Sequence, residues 1–396
     1  MSTTKYFTLS DNQWTLTSFV GNPTFVFRVV SVGGINEVSA GLVLGSSPTV
    51  YLRSDVMFYG GMGTKENPYK VTVDHDLLSS HVVDLYHDGS ELKTVNIGGS
   101  SANPSVTQNS KQSIMLDNNG EYRYYGASPN NYVEFNDELW RIISVSNVKS
   151  DENDIVGSMR VKIIRDESIG EYSWDSSAST IHNGAGVNEW SRSDLMTELN
   201  TLYYNKESGT CYNGQNNASV VCNFMNIGLN NEAKNLISNA LWYLGGNSIS
   251  DLYANGVYTY ERGTEVYNCS LESCGYERTT KWIGKIGIMY ASDYMYATDL
   301  NVCTSFRYHA TDSSLDYRNS NCTNNDWLYN ETMHQWTLSS RSTLGSYVLY
   351  IDQTGQVGSL HTFYTFHIKP TIYLRSNVIF YGGNGSKSNP YQLNIV

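Results

Sequence analysis

The sequence predicts a strand-rich α+β protein whose N-terminal part repeats its own C-terminal part. Three observations lead to this prediction. Residues 48–69 return as residues 370–391 at an offset of 322, and 16 of the 22 positions are identical. Short runs of Val, Ile, Phe and Tyr are separated by Gly, Pro and Asn, as in strands joined by turns. Two longer segments instead carry apolar residues at the helical period.

The repeat has constant ends and a variable middle. At the same offset, the tripeptide WTL at 14–16 matches the one at 336–338. Between these blocks, 19–47 and 341–369 share only one valine and one glycine. A segment of fixed length whose ends are constant and whose middle differs between copies is typical of a scaffold that carries a variable surface. The repeat therefore favours binding over catalysis.

The repeat also sets the predicted domain organisation. We expect residues 1–73 to be a partial repeat equivalent to 323–395. Residues 74–130 are polar with frequent turn residues, which predicts a strand- and turn-rich leading segment. Residues 131–396 then form the main domain.

Local patterns predict strands in the first half of the chain. Residues 14–73 contain several apolar runs that are broken by Gly and Pro. Residues 131–145 alternate apolar and polar side chains, and Asn136-Asp137 fits the two-residue turn of a hairpin. Residues 159–168 predict a further strand.

Two helices are predicted after these strands. Residues 191–205 place their leucines on one face behind a serine cap. Residues 230–244 carry five apolar side chains on one stripe. Residues 281–297 predict a strand that ends in a turn, and short strands are expected from Trp327 to the end.

Composition restricts the possible partners. The net charge is −12 and the 26 basic residues are scattered, so we expect no nucleic-acid partner. No apolar run reaches 18 residues, so we expect no direct membrane insertion. The 31 tyrosines, with many Asn and Ser, are the residue types that antibody paratopes use. A strand-rich secreted protein explains the tyrosines equally well.

The six cysteines fall into three local pairs, and their spacing suggests three loop-closing disulfides, although 15 connectivities are possible. The pairs are Cys211/Cys222, Cys269/Cys274 and Cys303/Cys322. None of them forms the CxxC spacing of a zinc site, so we expect no metal. Disulfides indicate an extracellular location. We recognise no signal peptide, so we expect either that an export signal was removed or that the sequence is an excerpt of a longer protein. A start within a repeat favours the excerpt.

Catalytic motifs are not recognisable. The eight histidines show no motif spacing, and the sequence has no GxSxG or HExxH. The sequence therefore predicts a protein that is not an enzyme and needs no cofactor.

Several blocks taken together resemble a known group. They are NYVEFNDELWRIISV, WSRSDLMTELNTLYYN, WIGKIGIMYASDYMYA, NDWLY, QWTLS and KPTIYLRS followed by GGNGSKSNPYQL. This series resembles uncharacterised surface proteins of Gram-positive (Firmicutes-type) bacteria. Their C-terminal part is similar to the C-type-lectin-like domain of the formylglycine-generating-enzyme type, which also carries the variable proteins of diversity-generating retroelements.

The resemblance implies a C-type-lectin-like core, with small twisted sheets flanked by helices. It also implies ligand contacts in the segment from about Arg341 to His367, which is the part that the internal copies do not share. Strand alternation sends only about half of these side chains outward. The expected ligand-binding residues are Tyr347, Tyr350, Gln356, His361, Phe363, Tyr364, Phe366 and His367.

Two activities of the related proteins lack their motifs here. The Glu-Pro-Asn and Gln-Pro-Asp tripeptides of calcium-dependent lectins do not occur, and for Asp326 a turn or cap role is expected instead. Oxidase chemistry requires a reactive cysteine pair, for which Cys303 and Cys322 are the candidates. A structural disulfide explains that pair more simply.

Three functions remain open. The first is an exported cell-surface recognition protein, an adhesin or receptor-binding module for a protein or glycan ligand. The second is a structural subunit of a repeating surface array or filament that self-associates through residues 1–73. The third is a phage or prophage host-recognition protein, against which the disulfide-like cysteine spacing counts, because such proteins fold in a reducing cytoplasm.

Overall fold

A computed structural model of the protein describes residues 13–18, 24–30, 35–42, 56–60, 62, 64, 67–68, 70–73, 77–151, 154, 157–249, 251–267, 278–308 and 320–395. With 16% helical and 39% strand residues, it is a strand-rich α+β structure. Two compact units divide the chain, Met1–Val56 and Met57–Val396.

The first unit contains a three-stranded antiparallel meander. Its strands, in spatial order, are β1 (Gln13–Ser18), β2 (Phe25–Val29) and β3 (Ile35–Ser39).

An 11-stranded sheet forms the largest part of the second unit. Its strands are β6 (Leu92–Asn96), β7 (Ser105–Asn109), β8 (Ile114–Leu116), β9 (Tyr122–Tyr124), β10 (Tyr132–Phe135), β11 (Glu138–Val148), β12 (Ser158–Arg165), β19 (Ile286–Ile288), β24 (Pro370–Tyr373), β25 (Val378–Gly382) and β26 (Tyr391–Ile395). The main order is β19-β24-β12-β11-β9-β8-β7-β6, while β10 pairs with β11 and β26, and β25 pairs with β26. Residues 74–130 and the main domain thus contribute to one sheet.

A six-stranded sheet carries the predicted ligand-binding segment. Its strands are β13 (Glu171–Ser173), β17 (Gly246–Asn247), β20 (Gln335–Arg341), β21 (Tyr347–Ile351), β22 (Val357–His361) and β23 (Thr365–His367). The order is β13-β23-β20-β21-β22, and β17 also pairs with β20. Three two-stranded ribbons make up the remaining strands of the described residues: β4 (Val56–Gly60) with β5 (Lys70–Val73), β14 (Ser208–Tyr212) with β15 (Ser219–Asn223), and β16 (Ala240–Tyr243) with β18 (Lys281–Gly284).

The hairpin predicted at 131–145 is confirmed. Strands β10 and β11 pair antiparallel around Asn136 and Asp137, whose φ angles are 61° and 60°. Two positive φ angles define the type I′ turn, which matches the twist of the flanking strands.

The helices are short. Among the described residues they are α1 (Leu78–Tyr86), α2 (Asp194–Glu198), α3 (Asn231–Leu236), α4 (Ala254–Glu261), α5 (Ala291–Ala297) and α6 (Ser320–Thr323), and 3-10 turns lie at Ile97–Gly99 and Trp190–Arg192. The helix predicted at 191–205 is confirmed, because α2 continues through the π-helical turn Leu199–Tyr203. Its predicted serine cap is Ser193, whose side chain accepts a hydrogen bond from the Met196 amide.

Two element predictions were wrong. The helix expected over 230–244 ends at Leu236, and the chain then enters β16. There Trp242 lies opposite Trp282 of β18 and is fully buried, so tertiary packing overrides the helical pattern. The segment 281–297 ends in α5 instead of a turn, with the Asp293 carboxylate accepting from the Tyr290 amide at the start of the helix.

The two internal copies fold into the same meander. In the first, Gln13 pairs with Val29 and Ser18 with Val26. In the second, all four partners are shifted by 322 residues, to Gln335 with Ile351 and Ser340 with Val348. The threonine hydroxyl bonds also correspond: Thr15 Oγ1 donates to Phe27 O at 2.8 Å, and Thr337 Oγ1 donates to Leu349 O at 2.6 Å.

Disulfides join Cys211 to Cys222 and Cys303 to Cys322, as the spacing predicted. Cys269 and Cys274 lie outside the described residues. The two bonds are consistent with an extracellular protein.

Within the described part of the chain, no helix has the length and apolar character needed to cross a lipid bilayer.

Candidate functional site

Four of the eight expected contact residues form one continuous aromatic row. Tyr347 and His361 are cross-strand neighbours on β21 and β22, with ring centroids 4.2 Å apart. His361 stacks on Phe363 at 5.5 Å, and Phe363 stacks on Tyr364 at 4.5 Å. The first three side chains are half-buried, and Tyr364 is 43% exposed. We call these four residues the aromatic row.

A buried threonine fixes the backbone under the row. Thr362 is fully buried, and its Oγ1 donates to Ala185 O at 2.7 Å. Its amide donates to Ser346 O at 2.9 Å. Ser173 Oγ donates to Phe363 O at 2.6 Å. The backbone at 362–363 is therefore held by three separate segments, which preorganises the adjoining rings.

A second aromatic pair flanks the start of β21. His182 and Tyr267 have ring centroids 5.4 Å apart. Both pack over Gly345, where a Cβ atom would lie 2.6 Å from Tyr267 and 2.7 Å from His182. Arg278 donates to Gly345 O at 3.0 Å, and its guanidinium lies 5.3 Å from the Tyr267 ring centroid. A glycine at 345 is thus needed for the side chains beside the row.

Two histidines of this surface, His182 and His361, have a pKa below the ordinary value. Burial lowers the pKa of His361. Burial, followed by the charge of Arg278, lowers the pKa of His182. Since the ordinary value is near 6.5, both rings are neutral at pH 7. The surface therefore offers aromatic faces with hydrogen-bonding edges to a ligand.

Tyr350 and Phe366 belong to a different cluster. Their ring centroids are 4.8 Å apart, and Phe366 also packs on Trp336 at 4.5 Å. Phe366 is only 9% exposed. Gly358 makes room for Tyr350, because a Cβ there would lie 3.1 Å from its ring. These two side chains stabilise the sheet and do not extend the row.

Gln356 and His367 lie apart from the row. The Gln356 amide donates to Asp352 Oδ1 at 2.9 Å and so closes the β21–β22 turn. His367 Nε2 lies 3.0 Å from Glu171 Oε1 on the neighbouring strand β13. The structure therefore brings together only half of the residues expected from sequence.

A buried charge network that was not predicted from the sequence lies in the core. The Asp293 carboxylate lies between Lys162 Nζ and Arg123 Nη1, and the arginine distance is 3.0 Å. Arg123 also contacts Asp117 Oδ2 at 2.8 Å and Glu121 Oε2 at 2.5 Å. Lys162 within the apolar run of β12 was the available signal, because a buried lysine requires an anionic partner.

A cleft of about 440 Å³ adjoins this network at Glu121. Arg262 borders it together with four tyrosines, Tyr243, Tyr258, Tyr290 and Tyr373. The Arg262 guanidinium stacks 3.3 Å from the Tyr258 ring centroid, and Tyr258 Oη donates to Glu121 Oε1 at 2.7 Å.

Asp326 has the structural role that the sequence suggested. Its carboxylate accepts from Thr298 Oγ1 at 2.6 Å and from the Leu328 amide at 2.9 Å. Burial raises its pKa to about 7. Among the described residues, no three His, Cys, Asp or Glu side chains are grouped to hold a metal ion.

Comparison of the chain with protein-family models, with curated proteins and with solved structures found no match.

Proposed function

We propose that the protein is an exported cell-surface recognition protein, an adhesin or receptor-binding module, that binds a protein or glycan through the aromatic row. We further propose that its core is C-type-lectin-like. The observation that carries the function is the continuous stacking of Tyr347, His361, Phe363 and Tyr364 at the protein surface. The row lies in the segment where the two internal copies differ.

Aromatic side chains are suited to this role. They offer a large contact area at a low cost in side-chain entropy, and a few such anchors supply most of the binding energy of an interface. The Thr362 hydrogen bonds support the proposal, because they hold the row before a ligand arrives. The two disulfides support export to an oxidising environment.

The test is a screen of the labelled full chain against an array of glycans and an array of extracellular matrix and bacterial surface proteins. We expect saturable binding to a restricted set of probes on one array. The absence of saturable binding on both arrays contradicts the proposal.

A second candidate function is the structural subunit of a surface array or filament. Leu16 of β1 is fully exposed and Ile35 of β3 is 69% exposed, which is unusual for large apolar side chains in strands. Mass photometry and negative-stain microscopy of the chain with and without residues 1–73 test this candidate. Assemblies that disappear on truncation support it, and monomers in both samples contradict it.

A further inference from the structure

A second cleft, of about 600 Å³, lies beside the ends of β12 and β24. Four charged side chains line it, and three of them are cationic: Arg160, Lys285 and Arg375, with Asp151 as the fourth. Apart from one isoleucine, the rest of the lining is serine and asparagine. We call this the cationic cleft. Its charge is opposite in sign to the net charge of −12 of the whole chain, so the three cations favour an anionic ligand locally.

The two arginines of the cationic cleft lie opposite each other on neighbouring strands. Strands β12 and β24 pair antiparallel, and their register continues beyond β24, since the Leu374 amide donates to Val161 O at 2.9 Å. The next residues in this register are Arg160 and Arg375. Like charges at opposite positions of an antiparallel pair are destabilising. An anion bound between the two guanidinium groups would remove this repulsion.

The protein leaves most of the donors of both arginines unused. Arg160 Nε donates to Val148 O at 3.3 Å, and Arg375 Nε donates to Ile237 O at 3.2 Å. In the described part of the chain, no hydrogen bond or ion pair involves the Nη atoms of either residue. Arg160 is only 7% exposed. Burying a charge is costly unless an opposite charge accompanies it, so the Arg160 guanidinium requires an anion that the described side chains do not supply.

The nearby carboxylate of Asp154 does not fill this role. Burial lowers the pKa of Arg160, the charge of Asp154 opposes this change, and the charge of Arg375 lowers the pKa further. The Asp154 carboxylate instead accepts from the Ser150 amide at 2.8 Å and from Ser150 Oγ at 2.9 Å. It therefore acts on Arg160 from a distance and closes a turn.

Lys285 adds a third cation with donors to spare. Its Nζ donates to Tyr204 Oη at 2.7 Å and lies 4.4 Å from the centroid of the same ring. An ammonium group has three donors, so two remain for a ligand.

We infer that the cationic cleft binds a small molecule through a phosphate or sulfate group, which accepts hydrogen bonds from Arg160, Arg375 and Lys285. Guanidinium groups match the oxygens of such groups in bidentate geometry and are weakly hydrated. The volume exceeds that of one oxyanion and lies in the range of small-molecule sites, so the ligand extends beyond its anionic group. None of the four residues of the aromatic row lines this cleft, and the inference does not rest on the recognition proposal.

The experiment is isothermal titration calorimetry of the full chain with glucose 6-phosphate, glucose 6-sulfate and inorganic phosphate. Ionic strength is held constant and low, because salt screens exposed charges. We expect saturable binding of at least one sugar ester, tighter than that of inorganic phosphate. Arg375→Gln should weaken this binding roughly tenfold or more, because it removes a bidentate donor. Arg375 is exposed and contacts one carbonyl, so the variant should keep the melting temperature of the original chain.

Arg28→Gln is the matched control, because it makes the same change of charge elsewhere. Arg28 Nε also donates to a neutral acceptor, Asn36 Oδ1 at 2.8 Å, and lies in the first unit. This variant should bind the sugar ester as the original chain does. A lack of saturable binding of all three probes, an unchanged affinity in Arg375→Gln or an equal loss in Arg28→Gln would overturn the inference. Inorganic phosphate that binds as tightly as the esters would overturn the assignment of a larger ligand.

Discussion

Tyr347 on β21 and His361 on β22 face each other with ring centroids 4.2 Å apart. Through His361, the Tyr347 ring is connected to Phe363 and Tyr364, which lie in the loop between β22 and β23. Ser346 Oγ lies 3.0 Å from His361 Nδ1, so the imidazole is fixed by a hydrogen bond as well as by stacking. The His361 ring is therefore held in the row by Ser346 as well as by its ring neighbours.

Acidification is expected to weaken this arrangement. Because burial lowers the pKa of His361 in the folded protein, its contribution to stability is present above pH 6.5 and is lost as the pH falls from 6.5 towards the lowered value. His361→Gln should flatten the decline of melting temperature between pH 7 and pH 5. His87→Gln, at an exposed histidine outside the row, is the control. The same decline of melting temperature with pH in the original chain and in both variants would contradict this prediction.

Glu198 should produce the opposite pH dependence. Burial, then the charges of Asp194 and Asp175, raises its pKa to about 8, and its Oε1 accepts from the Tyr212 amide at 2.9 Å. The folded state therefore keeps a proton that the unfolded chain releases near pH 4.3, and this stability is lost as the pH rises towards 8. Glu198→Gln should match the original chain at pH 4 and exceed its free energy of unfolding by on the order of 2–4 kcal/mol at pH 8. Chemical denaturation at pH 4 and pH 8 measures the free energy of unfolding of both proteins. The same difference between them at both pH values would contradict the prediction.

The buried charge network should be costly to break. Burial opposes ionisation of Asp293, but Lys162 and Arg123 outweigh it and lower the pKa of Asp293 to about 2. Asp293→Ala leaves both cations buried without this partner, and we expect a loss of about 3–5 kcal/mol in the free energy of unfolding. Lys111→Ala removes a surface contact to Asp88 and should leave the melting temperature unchanged. Comparable effects of the two substitutions would refute the role of the network.

The disulfides give a direct chemical prediction. Thiol titration of the denatured, unreduced protein should find Cys211, Cys222, Cys303 and Cys322 unreactive. The double variant Cys303→Ser/Cys322→Ser opens a loop with a sequence separation of 19, and we expect it to lower the free energy of unfolding by about 2–4 kcal/mol. Reactive thiols at these four positions would exclude the bonds.

Elements whose structure is set by neighbouring residues could be predicted from the sequence. The turn at Asn136-Asp137 follows from two residues that tolerate positive φ, and the helix after Ser193 follows from its cap. The repeat offset of 322 predicted equivalent segments, and the strands of both meanders begin at equivalent residues.

Elements and contacts that depend on residues distant in the sequence could not be predicted. The helical stripe of 230–244 is indistinguishable from a strand that pairs with β18 about 40 residues later, since Trp242 and Trp282 meet only in the fold. The network of Arg123, Lys162 and Asp293 joins three distant positions and has no local pattern. For the same reason the aromatic row could not be separated from Tyr350 and Phe366, whose burial depends on Trp336.

The most direct test of the recognition proposal is the dissociation constant of the row variants for the probe that binds most tightly in the array screen. Phe363→Ala/Tyr364→Ala is expected to weaken binding at least tenfold, because it removes two of the four stacked rings. Tyr381→Ala, at a 66% exposed tyrosine on β25, should bind as the original chain does. Unchanged affinity in the double variant, or an equal loss in Tyr381→Ala, would contradict the assignment of the aromatic row as the binding surface.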